Sequence, residues 1–452
     1  MKKDTFILLC FLLVTSRMIA QDSLSFRTGY TWQQVLDSAR KRDKLVFVDV
    51  YTDWCLPCRR MEKEVFTRPE VVQAMNKEFL LYRLDAEKGE GPEIAERYGA
   101  NGYPCFLFVD GQGRLFYSVL GFRTAQQLLE DTRTAVSERN DPRPLAVWEE
   151  EYAQNQDNTD WLQEYIRKRN KLRMDNETLT DRLFTLKPEQ ELLHPDVLQL
   201  VAESRVIRWN GPAFRFLTTH FRSIPNLNRG ASSLPEKILS VLEGSRNKLL
   251  MQVIEERDEK RFREELLPVI GAMPDSVPGM PWYQRSTPEY WMMVFFRETG
   301  NVDGFRTPAQ AVMETYLHKP VADIRKIDSI LYARTLSVYR ARLETEDRLN
   351  QMLPLLQSML EHYSTDNHVQ NLQAAAGFLE AKGENRSDRE QALRWCLRAI
   401  EIRPSAGAHE LAARLYLKLN QKKNAVSHLS KAAGLSTTKE EKDRLLQQLN
   451  SL

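Results

Sequence analysis

The chain has 452 residues, enough for two or three domains of ordinary size. Lysine and arginine total 64 against 62 aspartate and glutamate residues, so the formal net charge is only +2. Apolar residues make up 42% and charged residues 28%, which is typical of globular proteins and argues against wholesale disorder. Because so neutral a chain has no broad positive field, we expect neither nucleic-acid binding nor bulk binding to an anionic membrane.

Residues 1–20 have the three parts of a secretory signal: Lys2 and Lys3, an apolar stretch over residues 5–14, and a small residue, Ala20. They also carry the whole charge excess, since 61 basic and 61 acidic residues remain without them. An apolar helix of ten residues spans about 15 Å, half of a bilayer core. We therefore predict a cleavable signal and an exported, periplasmic protein. An uncleaved signal that anchors the chain to a membrane is the alternative.

The next hundred residues alternate between helix and strand patterns. A helix pattern at 32–39 is followed by an apolar run at 44–51 that is too continuous for an exposed strand and predicts one buried on both faces. The segment Trp54-Cys-Leu-Pro-Cys58 comes directly after it, and a polar helix follows at 59–66. Further predicted elements are strands at 79–84, 105–110 and 115–120, a hairpin turn at 111–113 and a last helix at 124–136.

The two cysteines at the strand-to-helix junction point to disulfide chemistry. A thiolate is the nucleophile of disulfide exchange, and a helix N-terminus stabilises it. We therefore predict that Cys55 is exposed and acidified, and that Cys58, one turn later, resolves the mixed disulfide. Pro57 is tolerated in a first turn because the amide hydrogen that it lacks would have no partner there.

The runs Asp49-Val-Tyr-Thr-Asp-Trp-Cys-Leu-Pro-Cys58 and Gly102-Tyr-Pro-Cys105 resemble the thioredoxin superfamily, in particular the C-terminal thioredoxin-like domain of the thiol:disulfide interchange reductase DsbD. The resemblance covers roughly residues 30–138. It implies an α/β thioredoxin-like domain at residues 25–140, with a central mixed sheet flanked by helices. It also implies that Cys55 and Cys58 form a redox-active disulfide.

The same resemblance implies roles for further residues. Pro104 would be the cis-proline that faces the sulfurs and, with Tyr103 and Trp54, presents substrate. Asp49 matches a buried acid that exchanges protons with the second cysteine, and Glu62 matches a second acid. Two simpler interpretations stay open, since Asp49 could be an ordinary strand-end residue and Glu62 a solvated helix residue. The lysine that often partners the buried acid is expected to be replaced by an apolar residue near Leu81.

Cys105 follows the proline, and we predict that it is a buried thiol, because free cysteine packs as a small hydrophobe. Contact with the redox pair is the alternative, and three thiols could then bind zinc or an iron–sulfur centre. No fourth ligand is evident, so we expect no metal and no cofactor. All seven histidines lie outside this domain, which excludes a Cys–His protease arrangement. Cys396 is expected to be a core residue.

Residues 145–370 follow a proline-bearing joint at 140–144 and are predicted to be α-helical, with divergent helical repeats. Residues 371–452 show internal repetition, because the segment at 391–399 aligns with that at 424–432 at an offset of 33. Small residues with a period near 34 resemble tetratricopeptide repeats. The sequence therefore predicts a thioredoxin-like domain followed by an all-α helical-repeat region.

These patterns favour an exported thiol–disulfide oxidoreductase that reduces or isomerises protein disulfides. Its partners would be protein thiol or disulfide clients and a membrane electron-donor reductase. The alternative is a periplasmic scaffold whose repeats bind protein partners, with the thioredoxin-like domain as a recognition module only.

Overall fold

A four-stranded mixed sheet forms the centre of the N-terminal part of the protein. The structure is a computed structural model that describes residues 24–100, 102–227, 233–277, 286–342, 353–354, 357 and 361–452. The strands have the order β2-β1-β3-β4; β1 and β2 are parallel, and the other two pairs are antiparallel. Their bounds are Leu45–Tyr51 for β1, Phe79–Asp85 for β2, Cys105–Val109 for β3 and Leu115–Leu120 for β4.

Helices flank this sheet, which confirms the predicted α/β fold class. Thr31 and Thr124 cap the first and the last of them through their side chains, a role that threonine often has before a helix. The bounds are Trp32–Arg42 for α1, Leu56–Arg60 for α2 with a π-helical turn at Met61–Val65, Pro69–Glu78 for α3, Gly91–Arg97 for α4 and Ala125–Arg139 for α5.

The alternation of side chains along β1 assigns different chemistry to the two faces of the sheet. Val48 and Val50 belong to an apolar cluster with Cys105 and residues of α1 and α4. Phe47 points to the other face, where Phe66, directly after the π-helical turn, packs edge-on against it with ring centroids 6.4 Å apart. Asp49 has the same parity as Phe47 and therefore lies on the face that the helix after the cysteines covers.

Helices beyond residue 140 continue the same compact unit, which ends at Arg208. Lys168, almost fully buried, pairs with buried Glu138 at the end of α5 and with Asp141 at 2.9 Å. The predicted boundary at residues 140–145 implies that the thioredoxin-like domain folds independently of these helices, and this stays a prediction. The helices are Leu145–Asn155 (α6), Thr159–Lys171 (α7), Glu177–Leu186 (α8), Glu189–Leu192 (α9) and Pro195–Ala202 (α10).

The second compact unit, Trp209–Leu452, is helical in its described residues. The bounds up to residue 342 are Pro212–Thr219 (α11), a 3₁₀ turn at Phe221–Ser223, Leu234–Glu255 (α12), Glu259–Arg261 (α13), a π-helical turn at Phe262–Leu266, Leu267–Ile270 (α14), Pro288–Thr299 (α15), Val302–His318 (α16) and Val321–Arg342 (α17). The later helices are Tyr363–Lys382 (α18), Arg386–Ile402 (α19), Ala406–Lys418 (α20), Lys422–Leu435 (α21) and Lys439–Asn450 (α22).

The predicted repeat segments lie on successive helices of this unit. The aligned segments at 391–399 and 424–432 belong to α19 and α21, each of which packs against the helix before it. Trp395 and Cys396 of α19 are buried in the apolar core of this unit. This arrangement is consistent with a helical-repeat region, and the tetratricopeptide assignment stays a prediction.

Two expectations concern membranes and export. Within the described ranges, none of the helices combines the length and the apolar character that a bilayer crossing requires. The predicted signal at residues 1–20 lies outside the described residues.

Candidate active site

The two cysteines lie at the junction of β1 and α2 and are joined by a disulfide with a Cα–Cα distance of 5.3 Å. Cys55 is the N-cap residue of α2, and its Sγ accepts a hydrogen bond from the Cys58 amide at 3.1 Å. A sulfur in this position receives one of the amide hydrogens that a helix leaves unpaired at its start. Pro57 occupies the first turn, where no such hydrogen is required.

The prediction of an exposed Cys55 is wrong for this disulfide form. Cys55 and Cys58 are each 2% exposed, whereas the neighbours of Cys55 in the chain, Trp54 and Leu56, are 66% and 67% exposed. The small cysteine side chain points inward to its partner sulfur between two large side chains that extend into solvent. The position of the cysteines in the sequence predicted the strand-to-helix junction correctly, but it did not indicate that the sulfur of Cys55 is buried.

Trp54 and Tyr103 border the disulfide-bearing loop. Their rings meet edge-on with centroids 6.1 Å apart, and the Trp54 indole N–H donates to Glu87 Oε1 at 2.9 Å. Tyr103 is joined to buried Pro104 by a cis peptide bond. The Pro104 carbonyl accepts a hydrogen bond from the amide of Gly121 at 2.7 Å.

Asp49 is a buried carboxylate on the face of the sheet covered by the helix after the cysteines. It is 1% exposed, and its Oδ2 accepts a hydrogen bond from Arg83 Nε at 3.1 Å. Its Oδ1 is buried without a hydrogen-bond partner among the described residues. Burial raises the pKa of Asp49 to about 6; Arg83 opposes this rise and the charge of Glu62 adds to it. A carboxyl with such a pKa can exchange protons near neutral pH.

Arg83 is the residue that the sequence analysis missed. The expectation of an apolar replacement near Leu81 is wrong, because Arg83 is the register partner of Asp49 and supplies the cation. Its guanidinium also pairs with Glu62, which is 40% exposed, and lies over the Tyr51 ring at 4.0 Å. Asp49 and Glu62, on different elements, are thus brought together by one arginine.

Cys105 lies on the other face of the sheet. It pairs with Val50 in the β1–β3 register and packs in the apolar cluster with Leu107. Burial, with a contribution from the charge of Asp49, raises the pKa of Cys105 to about 11, so this thiol is protonated at neutral pH. Among the described residues, no group of three or more His, Cys, Asp or Glu side chains is arranged to hold a metal ion.

The arrangement can therefore cycle between a disulfide and a dithiol. Thiol–disulfide exchange uses a sulfur at a helix N-terminus and a second sulfur one turn later, and both are present here. It also uses a buried acid with a raised pKa, which is present on the face of the sheet that this helix covers.

Comparisons with known proteins agree with this description. Residues 28–111 match the family model described as thioredoxin-like. The chain is 38% identical over 102 residues to the thiol:disulfide interchange protein DsbD of Pseudomonas fluorescens, which is 22% of this chain and 17% of that protein. It is 31% identical over 97 residues to DsbD of Photorhabdus laumondii, again 17% of the relative. The chain thus spans under a fifth of the length of these curated relatives.

Solved structures with similarity cover the same part of the chain. The oxidised C-terminal domain of Neisseria meningitidis DsbD is 33% identical; the match covers 21% of this chain and 84% of that domain, with a TM-score of 0.19. A proposed disulphide isomerase of Bacteroides thetaiotaomicron is 37% identical, with 25% and 94% coverage and a TM-score of 0.24. The N-terminal part of the chain, which carries both cysteines, is therefore thioredoxin-like.

Proposed function

We propose that the chain is an exported thiol–disulfide oxidoreductase that reduces or isomerises disulfides in protein clients. The observation that carries the proposal is the Cys55–Cys58 disulfide at the N-terminus of α2, with the Cys58 amide directed at Cys55 Sγ. The same amide would stabilise the Cys55 thiolate once the disulfide is reduced, because a charged acceptor strengthens the hydrogen bond.

In the reductive direction, the Cys55 thiolate attacks one sulfur of a client disulfide. A Cys55–client S–S bond forms, the client S–S bond breaks, and the released client sulfur takes up a proton. The Cys58 thiolate then attacks Cys55 Sγ, which forms the enzyme disulfide and releases the second client thiolate. Two electrons move from the enzyme to the client.

Asp49 is proposed as the base that accepts the proton of Cys58 before this second attack. The assignment is supported by the raised pKa of Asp49 and by its buried Oδ1, which has no hydrogen-bond partner among the described residues. Glu62 is proposed as a helper that acts through Arg83, since the arginine binds both carboxylates.

Trp54, Tyr103 and Pro104 are proposed to present the client chain. Trp54 is an exposed aromatic side chain beside the disulfide, and Tyr103 contacts it. Aromatic side chains of this kind supply contact area at a low cost in conformational entropy.

The reduced enzyme must be regenerated by a dithiol donor, and we propose a membrane electron-donor reductase for this step. The relatives named thiol:disulfide interchange proteins support a dithiol exchange of this kind. A reduction potential close to that of strong oxidants, about −120 mV, would contradict the reductive direction.

Export through residues 1–20 and a periplasmic location are part of the proposal, with an uncleaved anchor as its variant. The basic start and the apolar stretch support it. Sequencing of the mature N-terminus tests it.

We further propose a helical region at 145–370 and tetratricopeptide-like repeats at 371–452, which would bind protein partners.

Disulfide reduction by the full chain tests the catalytic proposal. With a dithiol donor and insulin as client, the wild type should be active, Cys55→Ser inactive and the matched variant Cys396→Ala unchanged. Cys58→Ala should hold clients on Cys55 as mixed disulfides. If the wild type and Cys55→Ser act alike, the enzyme proposal fails, and the scaffold alternative, in which the repeats bind partners without thiol chemistry, takes its place.

A further inference from the structure

Two histidines of the second unit face each other across neighbouring helices. His409 lies on α20 and His428 on α21, and their Nδ1 atoms are 3.0 Å apart. The ring centroids are 5.0 Å apart, and His409 is only 5% exposed. The contact thus joins two helices at a largely buried position.

The hydrogen-bonding capacity of imidazole makes this contact depend on protonation. A neutral ring has one donor and one acceptor nitrogen, whereas a protonated ring has two donors. A contact between two Nδ1 atoms therefore needs one donor and one unprotonated acceptor. When both rings are protonated, two N–H groups and two positive charges meet, and the contact is lost.

The surroundings favour the neutral form of both rings. Burial lowers the pKa of His428 to about 4, with further contributions from His409 and from the ammonium of Lys431 on α21. Burial, followed by Lys431, also lowers the pKa of His409. The Tyr416 ring packs on His428 with centroids 5.2 Å apart.

Carboxylates on the helices around the pair form ion pairs with arginine and lysine side chains. Glu410, next to His409 in the chain, is bound by Arg444 of α22 at 2.6 Å. Glu380 of α18 is bound by Lys418 at 2.7 Å. From α19, Cys396 is a buried thiol that donates to the Ala408 carbonyl.

We propose that the His409–His428 pair is an acid-sensitive latch that holds α20 against α21 at neutral pH and releases them when both rings are protonated. Release would open the seam of small residues between the two helices, which includes Ala413, Ala425 and Ala432. This function is independent of the thiol chemistry of the first unit.

The direction of the pH effect follows from the pKa shifts. Both histidines have a lower pKa in the fold than the ordinary value of about 6.5, so unfolded or opened helices bind protons more readily. The latch is intact above pH 6.5 and weakens as the pH falls from 6.5 toward 4.

Hydrogen exchange of the full oxidised chain at pH 7.0 and 5.0, corrected for intrinsic exchange rates, tests the latch. In the wild type, amides of residues 406–435 should open about tenfold more often at pH 5.0. His428→Asn keeps an amide for hydrogen bonding and leaves only His409 to titrate, so opening should increase clearly less between the two pH values than in the wild type. The matched variant His318→Asn, at an exposed histidine of α16, should behave as the wild type.

Equal opening of the wild type at the two pH values, or an equal pH effect in His428→Asn, would overturn the proposal. If His428→Asn does not fold, His409→Asn replaces it. The imidazole signals of the wild type in a magnetic-resonance titration give an independent reading. Titration of both rings at the ordinary value of about 6.5 would also overturn the latch.

Discussion

Asp49 and Arg83 face each other across the parallel pair β1–β2, and the buried carboxylate accepts a hydrogen bond from Arg83 Nε at 3.1 Å. The arginine is held in place from two further directions, by Glu62 and by the ring of Tyr51. One cation therefore sets the electrostatic surroundings of the acid that is proposed to accept the proton of Cys58.

Replacement of Arg83 by methionine should shift the pH profile of disulfide reduction. The guanidinium favours the ionised form of Asp49, so its loss should raise the pKa of Asp49 above the present value of about 6, by roughly one unit. The acidic limb of the rate profile should move to higher pH by the same amount.

Two variants control for this experiment. Arg83→Lys keeps the charge and should retain most of the wild-type profile, while Arg97→Met removes an exposed arginine elsewhere in the domain and should leave it unchanged. An unshifted profile in Arg83→Met would show that the arginine does not tune the reaction.

Replacement of Asp49 by asparagine should stabilise the first unit at neutral pH. The pKa of Asp49 is raised to about 6 from an ordinary value near 3.9, so the folded state loses stability as the pH rises from 4 to 6. Asn removes this cost, which we expect to be ~1–3 kcal/mol at pH 7 and near zero at pH 4. Hydrogen exchange of the β1 amides measures the change.

Glu62→Gln is the matched variant for this measurement, because Glu62 also binds Arg83 but is 40% exposed. Its effect should be small at both pH values, since exposed ion pairs contribute little. A destabilised Asp49→Asn at pH 7 would mean that pairing with Arg83 outweighs the cost of burial.

The sequence predicted the thioredoxin-like fold and the strand-to-helix junction because both depend on local patterns. The run at 45–51 is apolar except for Asp49, and the cysteines follow it closely. Arg83 was missed because its partner is set by strand register, which is a tertiary property. A signal did exist, since Asp49 and Arg83 are each the fifth residue of their strands and the charged residue inside an apolar run. The burial of Cys55 had no such signal, because it depends on how the loop and its neighbours pack in the fold.

Loss of the Trp54–Glu87 hydrogen bond should weaken client binding. Glu87→Ala frees an exposed indole, which must then be ordered when a client binds, and we expect the KM for a protein client to rise roughly threefold with kcat unchanged. Glu87→Gln keeps an acceptor for the indole N–H and should retain the wild-type KM. A fall in kcat without a change in KM would place Glu87 in the chemistry instead of in binding.

The ion pair between Lys168 and Glu138 should be essential for the stability of the first unit. Glu138 is fully buried, and it also accepts a hydrogen bond from the Leu145 amide at 2.8 Å. Lys168→Met would leave this carboxylate buried without its cation, which typically costs about 3–5 kcal/mol. Urea unfolding followed by hydrogen exchange in α5 and α7 measures the loss.

The chain offers a control and a rescue for this prediction. Lys171→Met removes a lysine that is exposed on the same helix, and its effect should be within about 0.5 kcal/mol. Glu138→Gln in the Lys168→Met background removes the uncompensated charge and should restore part of the stability. If Lys168→Met is as mild as Lys171→Met, the contact between α5 and α7 depends on apolar packing and not on the buried pair.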